Sequence, residues 1–215
     1  MIRRLFSLAA LAIAFVLGGC AHPISLSPEV AGLVGTGPSP KIDRPVVLVI
    51  TEAQLAQEVI SPGGGGDKVS YKPYKDLQTG LYVALGEVFT RASLASSATD
   101  PRIGNDPATV IVTPTISTTS FSPSLFTWPP TIFTVTLEMS FRGTGKPDAL
   151  TSVRVQGEGR AEFDEFKGNF SLSAQRASQD ALARLVKAIQ AQSDTLKRWT
   201  VASASALNAT PAADH

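Results

Sequence analysis

Between Thr131 and Arg142 the chain alternates without a break. Phe133, Val135, Leu137, Met139 and Phe141 fall to one side, and Thr134, Thr136, Glu138, Ser140 and Arg142 to the other. A period of two marks a strand with one covered face and one wet face. Such a strand belongs to a one-sided, antiparallel sheet, and the rest of the chain has to supply the cover. The segment from Thr151 to Phe163 repeats the pattern, with Val153, Val155, Ala161 and Phe163 inward and Arg154, Gln156, Glu158, Arg160 and Glu162 outward. Gly157 and Gly159 fall on its apolar side, where missing side chains let a helix approach. The cover is read from Leu172 onward: Ala174, Ala181, Leu182, Leu185, Ile189 and Leu196 make a helical stripe, and Ser171 or Ser173 can cap its start.

Earlier elements are shorter. Pro45 to Ile50 holds five apolar residues in a row, which suits a strand covered on both faces or at the centre of a sheet. Asp76 to Ala92 carries Leu77, Leu81, Leu85, Val88 and Phe89 at helical spacing, with Pro73 just upstream. Gly80 and Gly86 weaken that helix, and close packing on a sheet would explain them. Thr109 to Thr119 is a further strand in which Pro114 argues for an edge or a bulge. The glycines at 63–66 invite a phosphate-loop reading, but Asp67 follows them and Val69 separates Lys68 from Ser70, so a surface loop is expected. The order is β-α-β-β-β-α. The expected fold class is α+β: a mostly antiparallel four-stranded sheet with two helices packed on one face.

Ahead of this domain stand Arg3 and Arg4, then an apolar run from Leu5 to Gly19, too short to span a bilayer comfortably. It ends in Leu17-Gly18-Gly19-Cys20, which resembles the lipobox of bacterial lipoproteins. That resemblance implies a leader, residues 1–19, cut before a lipidated Cys20. With Ala21 rather than Asp after the cysteine, it implies the outer membrane on its periplasmic side. Residues 20–44 read as the lipidated cysteine and a flexible tether, with Pro23, Pro28, Pro38 and Pro40 among Ser and Gly. Fully extended, such a segment reaches on the order of 75 Å. Residues 45–199 form the single domain expected, and 200–215 an Ala/Ser-rich disordered tail.

The order of elements is also similar to a small α+β fold of bacterial envelope lipoproteins. Its users include the plug lipoprotein of the lipopolysaccharide translocon, lipoprotein activators of peptidoglycan synthases, YajG-like lipoproteins and the amino-terminal domain of TolB. The resemblance implies a non-enzymatic partner of a larger envelope machine, and it transfers no functional residue.

Charge and composition narrow the chemistry. The chain has 19 basic and 18 acidic residues, and removing the leader with its two arginines leaves a net charge of −1. That gives no electrostatic footprint for nucleic acid. Cys20 is the single cysteine, so disulfides and thiolate metal sites fall away. The histidines are His22 and His215, one beside the lipidation site and one at the last position, which argues against a Ser-His-Asp triad or a histidine metal site. Glu158, Glu162, Asp164 and Glu165 gather near the end of the last strand. A paired-acid hydrolase would need two of them converging in a cleft, and a solvated face explains them better. No catalytic residue, cofactor or metal is expected.

One segment asks for more than structure. Ser120 to Pro130 carries Phe121, Leu125, Phe126 and Trp128, stiffened by Pro123, Pro129 and Pro130, where a hairpin connection is ordinarily polar. Either it folds back to cap its own core, or it projects as an aromatic contact for a partner protein, lipid or membrane surface. The function expected is therefore an accessory or assembly factor of an envelope complex, held by a lipid anchor and binding an envelope protein. The alternative is a carrier or receptor for a lipid-like ligand between sheet and helices.

Overall fold

The computed structural model describes residues 21–104, 106, 108–123, 129–145, 148–166 and 168–197. The leader with Cys20, the loop residues Leu125, Phe126 and Trp128, and the tail at 200–215 lie outside them.

The fold is mixed α+β, and it is larger than the four strands expected. Strands β1 (His22–Pro23), β2 (Ile42–Val49), β3 (Val59–Pro62), β4 (Lys68–Tyr71), β5 (Phe89–Ala95), β6 (Val110–Phe121), β7 (Ile132–Gly143) and β8 (Thr151–Arg160) form two sheets. The large sheet has the order β5-β2-β6-β7-β8 and the small one β1-β4-β3. Helices α1 (Glu52–Ala56), α2 (Pro73–Val88), α3 (Phe163–Phe166) and α4 (Leu172–Ala191) complete the fold, with 3-10 turns at Val30–Leu33 and Pro101–Ile103. The large sheet is mixed rather than mostly antiparallel: β2 runs parallel to both β5 and β6, while β6-β7-β8 is an antiparallel meander.

The long alternations behave as their period requires. Phe133, Val135, Leu137, Met139 and Phe141 of β7 are all fully buried. Gly157 and Gly159 bring α4 onto β8: a β-carbon at Gly157 would lie 2.2 Å from the Ala181 nitrogen, and one at Gly159 would lie 2.0 Å from the Ser173 oxygen. The apolar run in β2 is covered on both faces, as expected. Val46, Leu48 and Ile50 join the main core under the helices, while Val47 and Val49 join Ala95, Ile103 and Ile111 in a second cluster on the opposite face.

Pro114 also finds its reason. β2 pairs with β6 only from Val46↔Val110 to Leu48↔Val112, so beyond Val112 that edge of β6 lacks a strand partner from the large sheet. Two residues on, the Ile116 N–H on the same edge is taken by the Tyr74 hydroxyl at 3.2 Å. The N–H that proline lacks would point to that edge, away from β7, so the ladder loses nothing.

Three expectations are corrected. The helix pattern read over Asp76 to Ala92 ends at Val88, and the next residues form a strand, β5, with Phe89 extended at φ −107° and ψ 151°. The stripe misled because Phe89 is buried in either geometry and no glycine or proline marks the change. The glycine loop is a surface loop, as expected: it forms the turn of a hairpin between β3 and β4, where Gly65 and Gly66 adopt φ of 65° and 88°, values that side chains rarely allow. Gly80 faces Leu182 and Pro28, and Gly86 faces open space near Ala92, so neither is explained by packing on a sheet.

The third correction is the tether. Residues 21–41 lie on the domain as a strap across both long helices. Asp76 of α2 accepts the Leu26 N–H at 2.9 Å, Ser171 at the start of α4 accepts the Ser25 N–H at 3.0 Å, and Glu87 of α2 accepts the Gly35 N–H at 2.8 Å. Leu26 and Leu33 are fully buried. Ser171 does occupy the N-cap position of α4, but its hydroxyl serves the strap instead of the helix.

Candidate docking site

One end of the molecule gathers several chain segments by direct bonds. β6 ends there at Phe121, which pairs with Ile132, which in turn pairs with Arg160 at the end of β8. The hairpin turn is tied to the same place, because Ser120 donates to the Ser61 hydroxyl and to the Pro62 carbonyl. The start of α4 joins it through Ser173, whose hydroxyl donates to the Pro130 carbonyl. β1 pairs with β4 from His22↔Val69 to Pro23↔Ser70, so the first described residues arrive at this end as well.

Here the apolar surface is exposed. Ile60 is 61%, Phe163 60%, Phe121 58% and Phe170 49% exposed. Ile60 also lines a shallow concavity of about 400 Å³, together with Pro62, Gly63, Gly66 and Lys68. Tyr71 underpins it: its hydroxyl meets Ser61 at 3.1 Å and Thr118 at 2.7 Å, and its ring packs edge-on against Phe133 at 5.4 Å. Polar groups border the patch, with Asp67 and Lys68 on the hairpin turn and Glu162 and Asp164 beside Phe163.

Of the residues expected to dock, Phe121 is placed at this end as the last residue of β6, with its side chain largely in solvent. Leu125, Phe126 and Trp128 belong to the connection between β6 and β7 outside the described residues. Phe163, expected inward, is exposed. The strand ends at Arg160, and Glu165 takes the Glu162 N–H at 2.8 Å, turning the chain into α3 before the alternation reaches Phe163. The Glu162-x-x-Glu165 spacing is the signal that announces the helix start. Ile60 and Phe170 carry no periodic signal, since each sits in a short irregular stretch.

The carboxylate cluster is arranged around arginines. Glu158 accepts from Arg160 at 2.7 Å, and Glu165 accepts two bonds from Arg176, at 2.7 and 3.1 Å. The Arg176 hydrogen bonds, with the Glu162 N–H, hold the Glu165 carboxyl down at about 2. Asp76 moves the other way, pushed up by burial and partly restored by the Leu26 N–H. Burial lowers the buried Arg44 guanidinium, and Asp106 opposes that shift. Among the described residues, no three His, Cys, Asp or Glu side chains are grouped so as to hold a metal ion.

At the opposite end, Ala98, Asp100, Pro101, Gly104, Arg142 and Thr144 border a second concavity of about 480 Å³, floored by Ile103 and Ile111 of the minor cluster.

No family model matches the chain, and no curated protein matches it. Solved structures with a similar course of the chain include a Xanthomonas campestris protein of the DUF330 family, at 9% identity and a TM-score of 0.47, covering 81% of this chain and 96% of that one. A protein described as a homolog of neuraminyllactose-binding hemagglutinin, from Helicobacter pylori, matches at 11% identity and a TM-score of 0.44 over 75% of this chain and 91% of that one. The protein CT253 from Chlamydia trachomatis matches at 9% identity and a TM-score of 0.37 over 69% of this chain and 99% of that one.

Proposed function

We propose that the chain is a lipid-anchored accessory or assembly factor of an envelope complex, working on the periplasmic side of the outer membrane by surface contact rather than by catalysis. The observation that supports this reading best is how the space between sheet and helices is used. Phe133, Phe141, Leu81, Leu85, Leu182 and Leu185 are fully buried in the main core, and the α4 backbone stands where β-carbons at Gly157 and Gly159 would be. A lipid-like ligand between the layers would have to displace such side chains at ~1.5–3 kcal/mol each. The exposed apolar end offers surface recognition instead. The lipobox at Leu17–Cys20 supports the anchor, and Ala21 the choice of membrane.

Crosslinking in whole envelopes tests the role. Discrete higher-mass adducts with an envelope protein are expected from the wild-type chain and are expected to vanish in Cys20→Ala. A wild-type chain that gives no adduct but purifies with a stoichiometric lipid would replace this reading with that of a carrier.

A further inference from the structure

We infer that the exposed apolar end is a bilayer-docking face, so that the domain stands on the membrane with its strands pointing away from it. The inference rests on the anchor reading above. Cys20 is separated from β1 by Ala21 alone, and consecutive Cα atoms are only about 3.8 Å apart. β1 is paired into the small sheet beside the hairpin turn. With the strap packed on the helices, no spare chain lies between lipid and domain. Acyl chains attached at Cys20 therefore hold this end against the headgroups.

That is the end where Phe121, Phe163, Phe170 and Ile60 are exposed. Val34, also exposed, belongs to the other end, next to the contacts of Gly35 and Gly37 with Glu87 at the close of α2. Aromatic and aliphatic side chains around a lipid attachment provide the second membrane signal that a stable anchor uses. The charges bordering the patch choose the lipid. Asp67, Glu162 and Asp164 outnumber the cations Lys68 and Arg160 bordering the patch, so attraction to an anionic surface is not the drive, and a zwitterionic headgroup layer suits the face. Docking here leaves the concavity at the opposite end facing the periplasm, available to a protein partner.

The test uses the full lipidated chain in vesicles of phosphatidylethanolamine and phosphatidylcholine, with a fluorophore on one introduced cysteine and headgroup-nitroxide lipid as quencher. Label at Lys68→Cys is expected to be quenched and label at Val34→Cys to stay bright. Replacing Phe121, Phe163 and Phe170 together with Ser is expected to weaken the Lys68 quenching without abolishing it, because Cys20 still tethers this end while the apolar contact is lost, and to move the unfolding midpoint little, since all three side chains are about half exposed or more; undiminished quenching in that variant overturns the apolar face. Equal brightness at both positions on an acylated chain overturns docking while leaving the anchor intact. Quenching that appears only when phosphatidylglycerol is added overturns an apolar face in favour of charge. The intact mass reports acylation separately, and a chain without acyl mass overturns the anchor reading and the docking with it.

Discussion

Gly157 and Gly86 show how opposite two glycines can be. A side chain at Gly157 would stand within 2.3 Å of backbone atoms of α4 on two sides, and backbone cannot swing aside. Gly157→Ala is expected to lose about 3 kcal/mol or more as α4 is pushed off β8. At Gly86 the nearest atom to an added β-carbon is 4.0 Å away, so Gly86→Ala should gain about 0.5–1 kcal/mol from helix propensity. Urea midpoints moving in opposite directions would check the pair. The same contrast holds along β7. Leu137→Asp places an unpaired carboxylate at a fully buried position and should cost about 4 kcal/mol or more. Glu138→Ala gives up only a long, exposed contact of 3.7 Å with Arg154 and should stay within about 0.5 kcal/mol.

At the scale of elements, the strap is the part whose composition pointed the wrong way. A free tether tolerates Leu26→Ala without loss, whereas a strap with Leu26 fully buried should lose about 2–4 kcal/mol, read from thermal or urea unfolding. Proline, glycine and serine suggested a linker, and the three buried apolar residues Ile24, Leu26 and Leu33 follow a groove across helices rather than any period of their own. β7, β8 and α4 were legible because ten or more residues repeat one spacing. β3, β4 and β5 were not, since four residues of alternation beside a glycine run, or a helix passing straight into a strand, leave no signal to separate. At the exposed apolar end Phe121 stood out in the sequence as an aromatic of the connection after β6, and the structure places it as the last residue of that strand; Phe163 was hidden by a strand pattern that outlived the strand. The join of α3 to α4 by Glu165 and Arg176 carries a pH signature. A carboxyl held at about 2 adds stability that is complete above the ordinary glutamate range near 4.5 and is lost as pH falls toward 2. Carboxyl NMR titration of Glu165 is expected to show that low midpoint, and Arg176→Ala to return it toward 4.5.

For the whole molecule the decisive residue is Cys20. With a net charge near neutrality, the proposed anchor is the main hold on the membrane, and the apolar end alone is a weak one. Cys20→Ala is expected to shift the protein from the detergent-extracted membrane fraction to the soluble periplasmic fraction or leave it uncleaved, with no acyl mass. Lipidated, membrane-bound protein in that mutant would end the anchor reading. On the proposed docking, one end of the fold would meet lipid and the other would present the concavity bordered by Asp100 and Arg142.

The strap also sets how the molecule answers to force. A pull on the proposed lipid anchor would load the two-residue pairing of β1 first, then Ser25 to Ser171, Leu26 to Asp76 and Gly35 to Glu87, in the order in which the chain meets them. Bonds broken singly yield at low load, while β2, held between β5 and β6, resists as a block. Peeling the strap would pay out about 20 residues, roughly 65 Å of slack at ~3.3 Å per residue, before the large sheet bears any tension. The fold thus stores, folded flat against its helices, a lanyard that an envelope under strain could draw out without unfolding the sheet that β2 holds together.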